Sequence, residues 1–453
     1  MENLFFLIGG SFLIISIFWL LKILKSFFWI KNSAVNNIIF NSVDNNIRFF
    51  ILIPVLDETA ILEDTVKYFL KISRVFKGSK IIIITTEKEY RFNHSGSKND
   101  TVALSKSLEG QFKDVVHVHY PDVDGKMAHQ VNYAVNFVKN NLDKKDFFAL
   151  YNADSRPDIR TFSWINNFQL NKRHGNSSEV FQQYGNYLGN YLKIVSMPNF
   201  FEKAILVSAS LWQNRWSIGF EIPHSLNQLK KRERGNFFSF PMNYCIGHGL
   251  FFSCRIYDKV RGFSENMHNE DAIFGLKLSY YQDTIVPIPF FDEAFSPESV
   301  KSLFFQKVNW FFGPLQSFEY YSQIIKDDHS VRKSRLLVLT LKLFSHAVYW
   351  IFGPLMMMFL FIYALLSETA AIWLFFNLTF ISFFIIPNFF SWLITRNRII
   401  ASEIPAIIFY LFVGSLFFYA LHGLAGCLSL WRYLGHIMFG QPLIQKNKTA
   451  LYK

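Results

Sequence analysis

Charge is scarce at both ends of this chain and abundant between them, and that distribution limits the fold more than any single motif. Residues 4–21, LFFLIGGSFLIISIFWLL, carry no ionisable side chain. With the flanking residues up to Ile30 they are long enough to cross a bilayer. A retained helix is favoured over a cleaved signal peptide, because no basic region precedes the run and no small-residue cleavage site follows it. Lys22, Lys25 and Lys31 come next, so the positive-inside trend puts the end of this segment in the cytoplasm. After Lys342 charge fades again, and apolar spans are expected at 344–366, 371–394 and 404–430. Many of the 53 Phe lie in these terminal regions. The break at 395–403 carries Arg396 and Arg398 and is expected to be cytoplasmic. Three full crossings would then leave the tail, with Lys446, Lys448 and Lys453, outside. A re-entrant apolar segment is the alternative.

The expected organisation is a membrane helix at 1–31, a cytoplasmic domain at 32–298, amphipathic segments at 299–343, and a membrane region with its tail at 344–453. The amphipathic segments suit either a collar on the bilayer surface or ordinary docked helices. The net charge of +12 fits Lys and Arg facing anionic lipid. It also fits a basic cleft for a phosphate-bearing substrate. No dense basic run or nucleic-acid motif occurs, so nucleic acid is not an expected partner. The three cysteines form no CxxC pair, which argues against a zinc site or a disulfide framework.

The middle of the chain alternates strand and helix patterns. RFFILIPVLDE (48–58) is an apolar strand ending at Pro54, Asp57 and Glu58, and helical periodicity follows at 61–72. KIIIITTEKE (80–89) is a second strand, ending at Thr85, Thr86 and Glu87. Another helix begins after Gly125-Lys126, and DFFALYNADS carries a third strand to Asn152 and Asp154. Such alternation predicts an α/β domain with a mainly parallel sheet covered by helices on both faces. Ligands bind such sheets at the carboxyl ends of the strands, where these polar residues fall. A turn aspartate explains any one of them; three polar strand ends on one rim favour a nucleotide or metal site. At a helix start, Lys126 and the neighbouring amides can face a phosphate.

Farther along, Gly247 and Gly249 flank His248, which suits either ligand contact or a satisfied buried histidine. Glu270 and Asp271 begin an apparent helix, where acidic residues also favour the helix dipole. Gln306 and Trp310 are four apart and share a helix face. An aromatic face suits a sugar ring, and a membrane-surface Trp is the plainer alternative.

Taken in order, these motifs resemble a processive-type family 2 glycosyltransferase of the GT-A fold. Cellulose, hyaluronan and chitin-oligosaccharide synthases are its familiar members, with ceramide glucosyltransferase a relative. IPVLDET resembles the family's Pro-x-Tyr-Asn-Glu strand end, and GKMAHQVNYA its Gly-Lys-x-x-Ala-Leu-Asn helix. NADSRPD resembles Asp-Ala-Asp-Ser-x-Pro-Asp, NED resembles Thr-Glu-Asp, and QKVNW stands for Gln-x-x-Arg-Trp. The resemblance implies a membrane-embedded inverting enzyme that moves a sugar from a nucleotide-sugar donor to a glycan or lipid-linked acceptor. Asp154 would hold Mg²⁺ or Mn²⁺ at the donor diphosphate, and Asp271 would be the general base, beside Glu270. Lys126 would lie near phosphate; Gln306 and Trp310 would sit by the acceptor and pyrophosphate. Three positions depart from the pattern: Thr85-Thr86-Glu87 replaces Asp-Asp-Gly, Asn152 replaces the first Asp of the metal motif, and Asn309 replaces Arg. A non-catalytic membrane scaffold with a degenerate glycosyltransferase domain is the reading from a different class.

Overall fold

The computed structural model describes residues 1–37, 47–92, 100–171, 178–234, 242–281, 283–396 and 401–440. The tail lysines and Arg398 lie outside them. The central feature is an eight-stranded sheet, in the spatial order β3-β2-β1-β4-β7-β6-β8-β5. Its strands are β1 (Phe49–Pro54), β2 (Lys80–Thr86), β3 (Val115–Tyr120), β4 (Phe147–Leu150), β5 (Arg156–Pro157), β6 (Val180–Asn186), β7 (Leu250–Ser253) and β8 (Val286–Glu293). β3, β2, β1 and β4 run parallel. β7 runs antiparallel between β4 and β6, β6 and β8 are parallel, and the short β5 is antiparallel on β8.

The unbroken apolar runs of β1, β2 and β4 follow from burial on both faces. Phe49, Ile51 and Ile53 join Ile81 and Ile83 in one core layer, with Leu62, Val66 and Phe69 of the helix Thr59–Val75. Phe50 and Leu52 join Ile82 and Ile84 in the opposite layer, with Val131, Ala134 and Val135 of the helix Met127–Val138. Gln130 anchors that second helix, donating from Nε2 to the carbonyls of Val55 (3.2 Å) and Ile84 (2.9 Å). This fixes the helix start, and so Lys126, beside the carboxyl ends of β1 and β2.

Among the described residues, four helices are long and apolar enough to cross a membrane: Glu2–Ser33, Lys333–Leu366, Ala370–Thr395 and Ile404–Phe439. Residues 333–343 continue without a break into the second of these. The residues Val300–Leu315 and Ser317–Asp327 form two further helices.

The helix Phe200–Trp216, which follows β6, leaves the sheet and packs along Ile404–Phe439. Its Leu206, Leu211 and Trp212 share one core with Met357, Phe384 and Phe418 of the apolar helices. Arg215, at its end, is buried with its guanidinium 4.5 Å from the Trp19 and Trp212 rings and 4.7 Å from Phe383. It donates to the Phe383 carbonyl, in the π-turn Ile381–Ile385, where the ordinary helical ladder is interrupted. One cation thereby ties three helices through aromatic faces.

The crossing with the last helix is close. A Cβ on Gly414 would lie 2.0 Å from the Ala204 carbonyl oxygen, and Ser208 Oγ donates to the Tyr410 carbonyl at 3.1 Å. Gly414→Val is therefore expected to destabilise this junction by about 1–3 kcal/mol or more, since backbone must move. Thermal unfolding of the full chain in detergent would check this, and an unchanged midpoint would refute the packing argument.

Candidate active site

The carboxyl ends of β1, β2 and β4 form one rim, and its residues divide into two groups. The first lies over β1, β2 and β3. Asp57 adopts a left-handed backbone (φ 54°) just past β1, a conformation that Asp tolerates better than most residues. Its N–H donates to both carboxylate oxygens of Glu89, at 3.1 and 3.0 Å, and Glu89 is buried. Glu58 immediately precedes the helix Thr59–Val75. Thr85 Oγ1 bonds His117 Nε2 (2.7 Å) and His119 Nδ1 (2.8 Å), and His119 Nε2 meets Glu87 Oε1 at 3.2 Å. Glu87 thus leans toward β3, while Glu89 supports the turn that follows Pro54. Lys126 is exposed at the start of its helix, where its N–H donates to His129 Nδ1 (3.1 Å).

The second group joins the turn after β4, the loop before β7 and the end of β8. After β4 the chain turns, the Ser155 N–H bonding the Asn152 carbonyl at 3.2 Å, and both Asn152 and Asp154 are partly exposed. Ser155 Oγ donates to Asp292 Oδ2 (2.8 Å) at the end of β8. His248 Nδ1 meets the same oxygen at 3.2 Å. Asp292 is fully buried, and its Oδ1 has no hydrogen-bond partner.

Electrostatics couples these groups. Burial and then repulsion from Asp292 raise the Asp154 carboxyl above the usual range, against the pull of His248 and Arg156. Burial lowers the His248 imidazole, but Asp292, Asp154 and Glu221 together raise it, and the net shift is upward. Glu221, in the π-turn Ser217–Glu221, is pushed up to about 7 by burial, offset in part by Ser217 and by His248.

Residues 247–249 join this carboxylate–histidine cluster to Asp271. Gly249 has φ 64°, and a Cβ there would stand 2.6 Å from the Gln183 carbonyl oxygen, so only glycine fits. Gln182 supports the loop, donating from Nε2 to the His248 carbonyl (2.8 Å) and accepting from the Ile246 N–H (3.1 Å). A Cβ at Gly247 would lie 3.4 Å from Asp271 Oδ2. One tight loop therefore has the Asp271 carboxylate against Gly247 and the Asp292-bonded imidazole on the next residue.

Asp271 is partly exposed on the first turn of the helix Glu270–Tyr280, and Glu270 beside it is buried. Asn132, on the helix that follows Lys126, holds the preceding loop through Phe263 O (2.8 Å) and Glu265 Oε1 (2.9 Å). Asn269 Nδ2 reaches the carbonyls of Asn309 (3.3 Å) and Trp310 (3.4 Å). This brings the helix of Gln306 and Trp310 against the start of the Asp271 helix. Between that helix and Phe200–Trp216 lies a small cavity lined by Ser210, Gln213, Ser296, Gln306, Lys307 and Trp310. Lys307 is buried, donates to Gln213 Oε1 (3.0 Å), and stands 3.9 Å from the centre of the Trp310 ring. Burial pulls its ammonium down to about 7.

A divalent cation suits the oxygen donors at the end of β4. Asp154 is a partly exposed carboxylate in the turn after β4, and Asp292 beyond it keeps an orphaned oxygen. Hard cations prefer such ligands. Among the described residues no group of three or more His, Cys, Asp and Glu converges as a complete metal site. A cation on Asp154 would complete its shell with other oxygens, such as the Asn152 amide, water or a bound phosphate.

Sequence reasoning overlooked Asp292, Glu89 and Lys307. The signal for Asp292 is present: IPFFDE (288–293) repeats the pattern of IPVLDE (53–58), an apolar strand ending in Asp-Glu. Lys307 sits inside QKVNW itself, one residue after Gln306.

No family model matches the chain, and no curated protein matches it. Among solved structures, it is similar to a mannosyltransferase from Pyrobaculum calidifontis in complex with GDP-Man and Mn²⁺. Identity is 11% and the TM-score 0.45, over 89% of this chain and 99% of that one. It is also similar to S. aureus TarS, residues 1–349, in complex with UDP-GlcNAc, at 10% identity and a TM-score of 0.41, over 88% of this chain and 97% of that one.

Proposed function

We propose that this protein is a membrane-embedded inverting glycosyltransferase that uses a nucleotide-sugar donor, with its sheet domain in the cytoplasm. The observation that carries the reading is the loop 247–249, which has the Asp271 carboxylate against Gly247 and the His248–Asp292 pair beside Asp154. A partly exposed carboxylate at a helix start and a second acidic centre suited to a cation and phosphate are joined by this loop at the carboxyl edge of the sheet.

Asp271 accepts the proton of an acceptor hydroxyl as that oxygen attacks the anomeric carbon. The new bond joins this oxygen to the sugar. The bond from the anomeric carbon to the diphosphate oxygen breaks, and its electron pair leaves with the nucleoside diphosphate. Attack from the opposite face inverts the configuration. Glu270, buried next to Asp271, shapes the helix start. Asp154, with the Asn152 amide, would hold Mg²⁺ or Mn²⁺, which supplies charge neutralisation to the departing diphosphate. His248 adds positive charge on the same side, and Lys126 places an ammonium and a helix N-terminus at the nucleotide half of the rim. Pro54, Asp57, Glu58 and Glu87 bound that half. Gln306 and Trp310 face the acceptor, a glycan or a lipid-linked molecule delivered along the bilayer.

The direct test is release of nucleoside diphosphate by the purified full chain over a panel of UDP- and GDP-sugars with Mn²⁺ or Mg²⁺. Release from one donor class, dependent on the cation, is expected. No release from any donor would favour the scaffold reading.

A further inference from the structure

We propose that the apolar helix Ile404–Phe439 does not cross the bilayer: it lies along the leaflet on the sheet domain's side, with its outward face among the acyl chains. This rests on the membrane embedding proposed above and not on the transfer chemistry.

The start of the helix is held at the end of β6. Asn186 Nδ2 donates to the Thr395 carbonyl (3.2 Å), so the helix Ala370–Thr395 has already returned the chain to the domain. The guanidinium of Arg396 lies 4.9 Å from the centre of the Tyr191 ring and pairs at 2.7 Å with Glu403, which immediately precedes the last helix. The far part is held by the same domain. Ser429 Oγ meets the Val308 carbonyl oxygen at 2.9 Å, and the Phe311 ring comes within 3.3 Å of where a Cβ on Gly426 would stand. Val308 and Phe311 belong to Val300–Leu315, the helix that Asn269 reaches beside Asp271. Ser429 is 25 residues past Ile404, a helical rise of about 38 Å. The hydrocarbon core is only about 30 Å thick. A helix crossing from Ile404 would carry Ser429 beyond the far surface, out of reach of a helix docked on the sheet domain.

Between these ends the buried face follows Phe200–Trp216. The Phe200 ring stands 5.9 Å from Tyr410, Gly414 abuts the Ala204 carbonyl, and Trp212 meets Tyr419 (5.0 Å) and His422 (6.4 Å). Phe200–Trp216 is itself tied to the sheet edge. Asn214 Oδ1 accepts from the Tyr187 N–H (2.7 Å), and Asn214 Nδ2 donates to Asn186 Oδ1 (2.9 Å). The apolar helix Lys333–Leu366 behaves differently. Leu336 and Leu339, near its start, share a core with Ile273 of the Asp271 helix, whereas Tyr363, near its end, meets the Phe5 ring (5.0 Å). That helix leads away from the domain, and the last helix lies along it.

The outward face of the last helix exposes Phe409 (56%), Phe412 (52%), Leu424 (59%) and Trp431 (75%). No Asp, Glu, Lys or Arg occurs between Glu403 and Arg432. An apolar face of that length calls for a partner. The partner is lipid, because the face is continuous with a membrane helix: the Phe412 ring packs 5.5 Å from Phe380 of Ala370–Thr395. Phe, Leu and Trp on one side are also the composition of a helix lying in the bilayer interface.

The test is nitroxide depth in phosphatidylcholine vesicles, read by collision with oxygen and with a nickel chelate. Labels are placed singly at Phe409→Cys, Phe417→Cys, Leu424→Cys and Trp431→Cys, in the full chain carrying Cys254→Ser and Cys427→Ser. All four positions are exposed, so the labels displace no packing; thermal unfolding verifies that each variant folds. The four depths are expected to agree within about 5 Å, near the boundary of headgroups and acyl chains. Labels at Tyr349→Cys and Leu355→Cys, on Lys333–Leu366, should differ by about 9 Å, their separation along its axis. A label at Phe417 near the bilayer centre, with Phe409 and Trp431 at opposite surfaces, overturns the proposal. So does an aqueous environment at all four. Aqueous labels at Tyr349 and Leu355 sink the embedding itself and the proposal with it. Nucleoside diphosphate release from the same vesicles reads the transfer chemistry separately; its absence leaves the position of the helix untouched.

Discussion

Replacing Asp271 by Asn is expected to lower kcat by about 10²- to 10⁴-fold, the usual worth of a positioned general base, if Asp271 has the role proposed for it. The amide keeps the shape of the side chain, so the N–H of Ala272, now bonded to Asp271 Oδ1 at 2.8 Å, still finds an oxygen. Gly247 approaches the side chain without contributing a Cβ, so no packing changes either. The donor's KM should therefore stay within a few-fold of wild type, because the loss falls on the transition state and not on binding. Steady-state kinetics with the donor identified by the panel would measure both constants. Retention of most of kcat would remove Asp271 from the base role.

The second large effect concerns the donor. Asp154→Ala should weaken cation-dependent donor binding by about 100-fold or more, whereas Asn152→Ala should cost less than about tenfold. Metal sites commonly lose 10- to 100-fold when even an outer partner is removed, and a direct charged ligand matters at least as much. The asymmetry follows from charge: Asn152 offers only an amide dipole, and Asp154 is the carboxylate in the turn after β4. Equal losses in a titration of a non-hydrolysable donor analogue, with and without Mn²⁺, would contradict this assignment. An unchanged affinity in Asp154→Ala would place the diphosphate elsewhere on the rim.

Much of the parallel half of the fold is legible in the sequence, for a reason visible in β1, β2 and β4. Helices cover both faces, so the strand interiors, Phe49–Ile53, Ile81–Ile84 and Phe147–Leu150, are apolar and the runs stand out. The other half is hidden by the same logic in reverse. β6 reads VFQQYGN, polar enough to pass for a loop, yet Gln182 and Gln183 are fully buried. Their amides work as internal scaffolding: Gln182 holds the loop of His248, and Gln183 Nε2 donates to Thr161 Oγ1 at 2.9 Å. Hydropathy cannot distinguish a satisfied buried amide from a solvated one. The helix Phe200–Trp216 is concealed similarly, since Glu202, Lys203, Asn214 and Arg215 interrupt a surface that joins the apolar helices. The candidate residues Asp154 and Asp271 were legible because they stand just past a strand and at a helix start, where sequence pattern points. Partners from distant strands, such as Asp292, were not legible.

The excursion of the helix Phe200–Trp216 also sets an order of assembly. It precedes β7, the strand lying between the parallel half of the sheet and β6, β8 and β5. The surface it needs belongs to residues 404–439, which leave the ribosome about two hundred residues later. Until that last apolar helix arrives, Leu206, Leu211 and Trp212 lack the partners they have in the finished protein. The helix Phe200–Trp216 therefore reaches its final packing only after Ile404–Phe439 has been made.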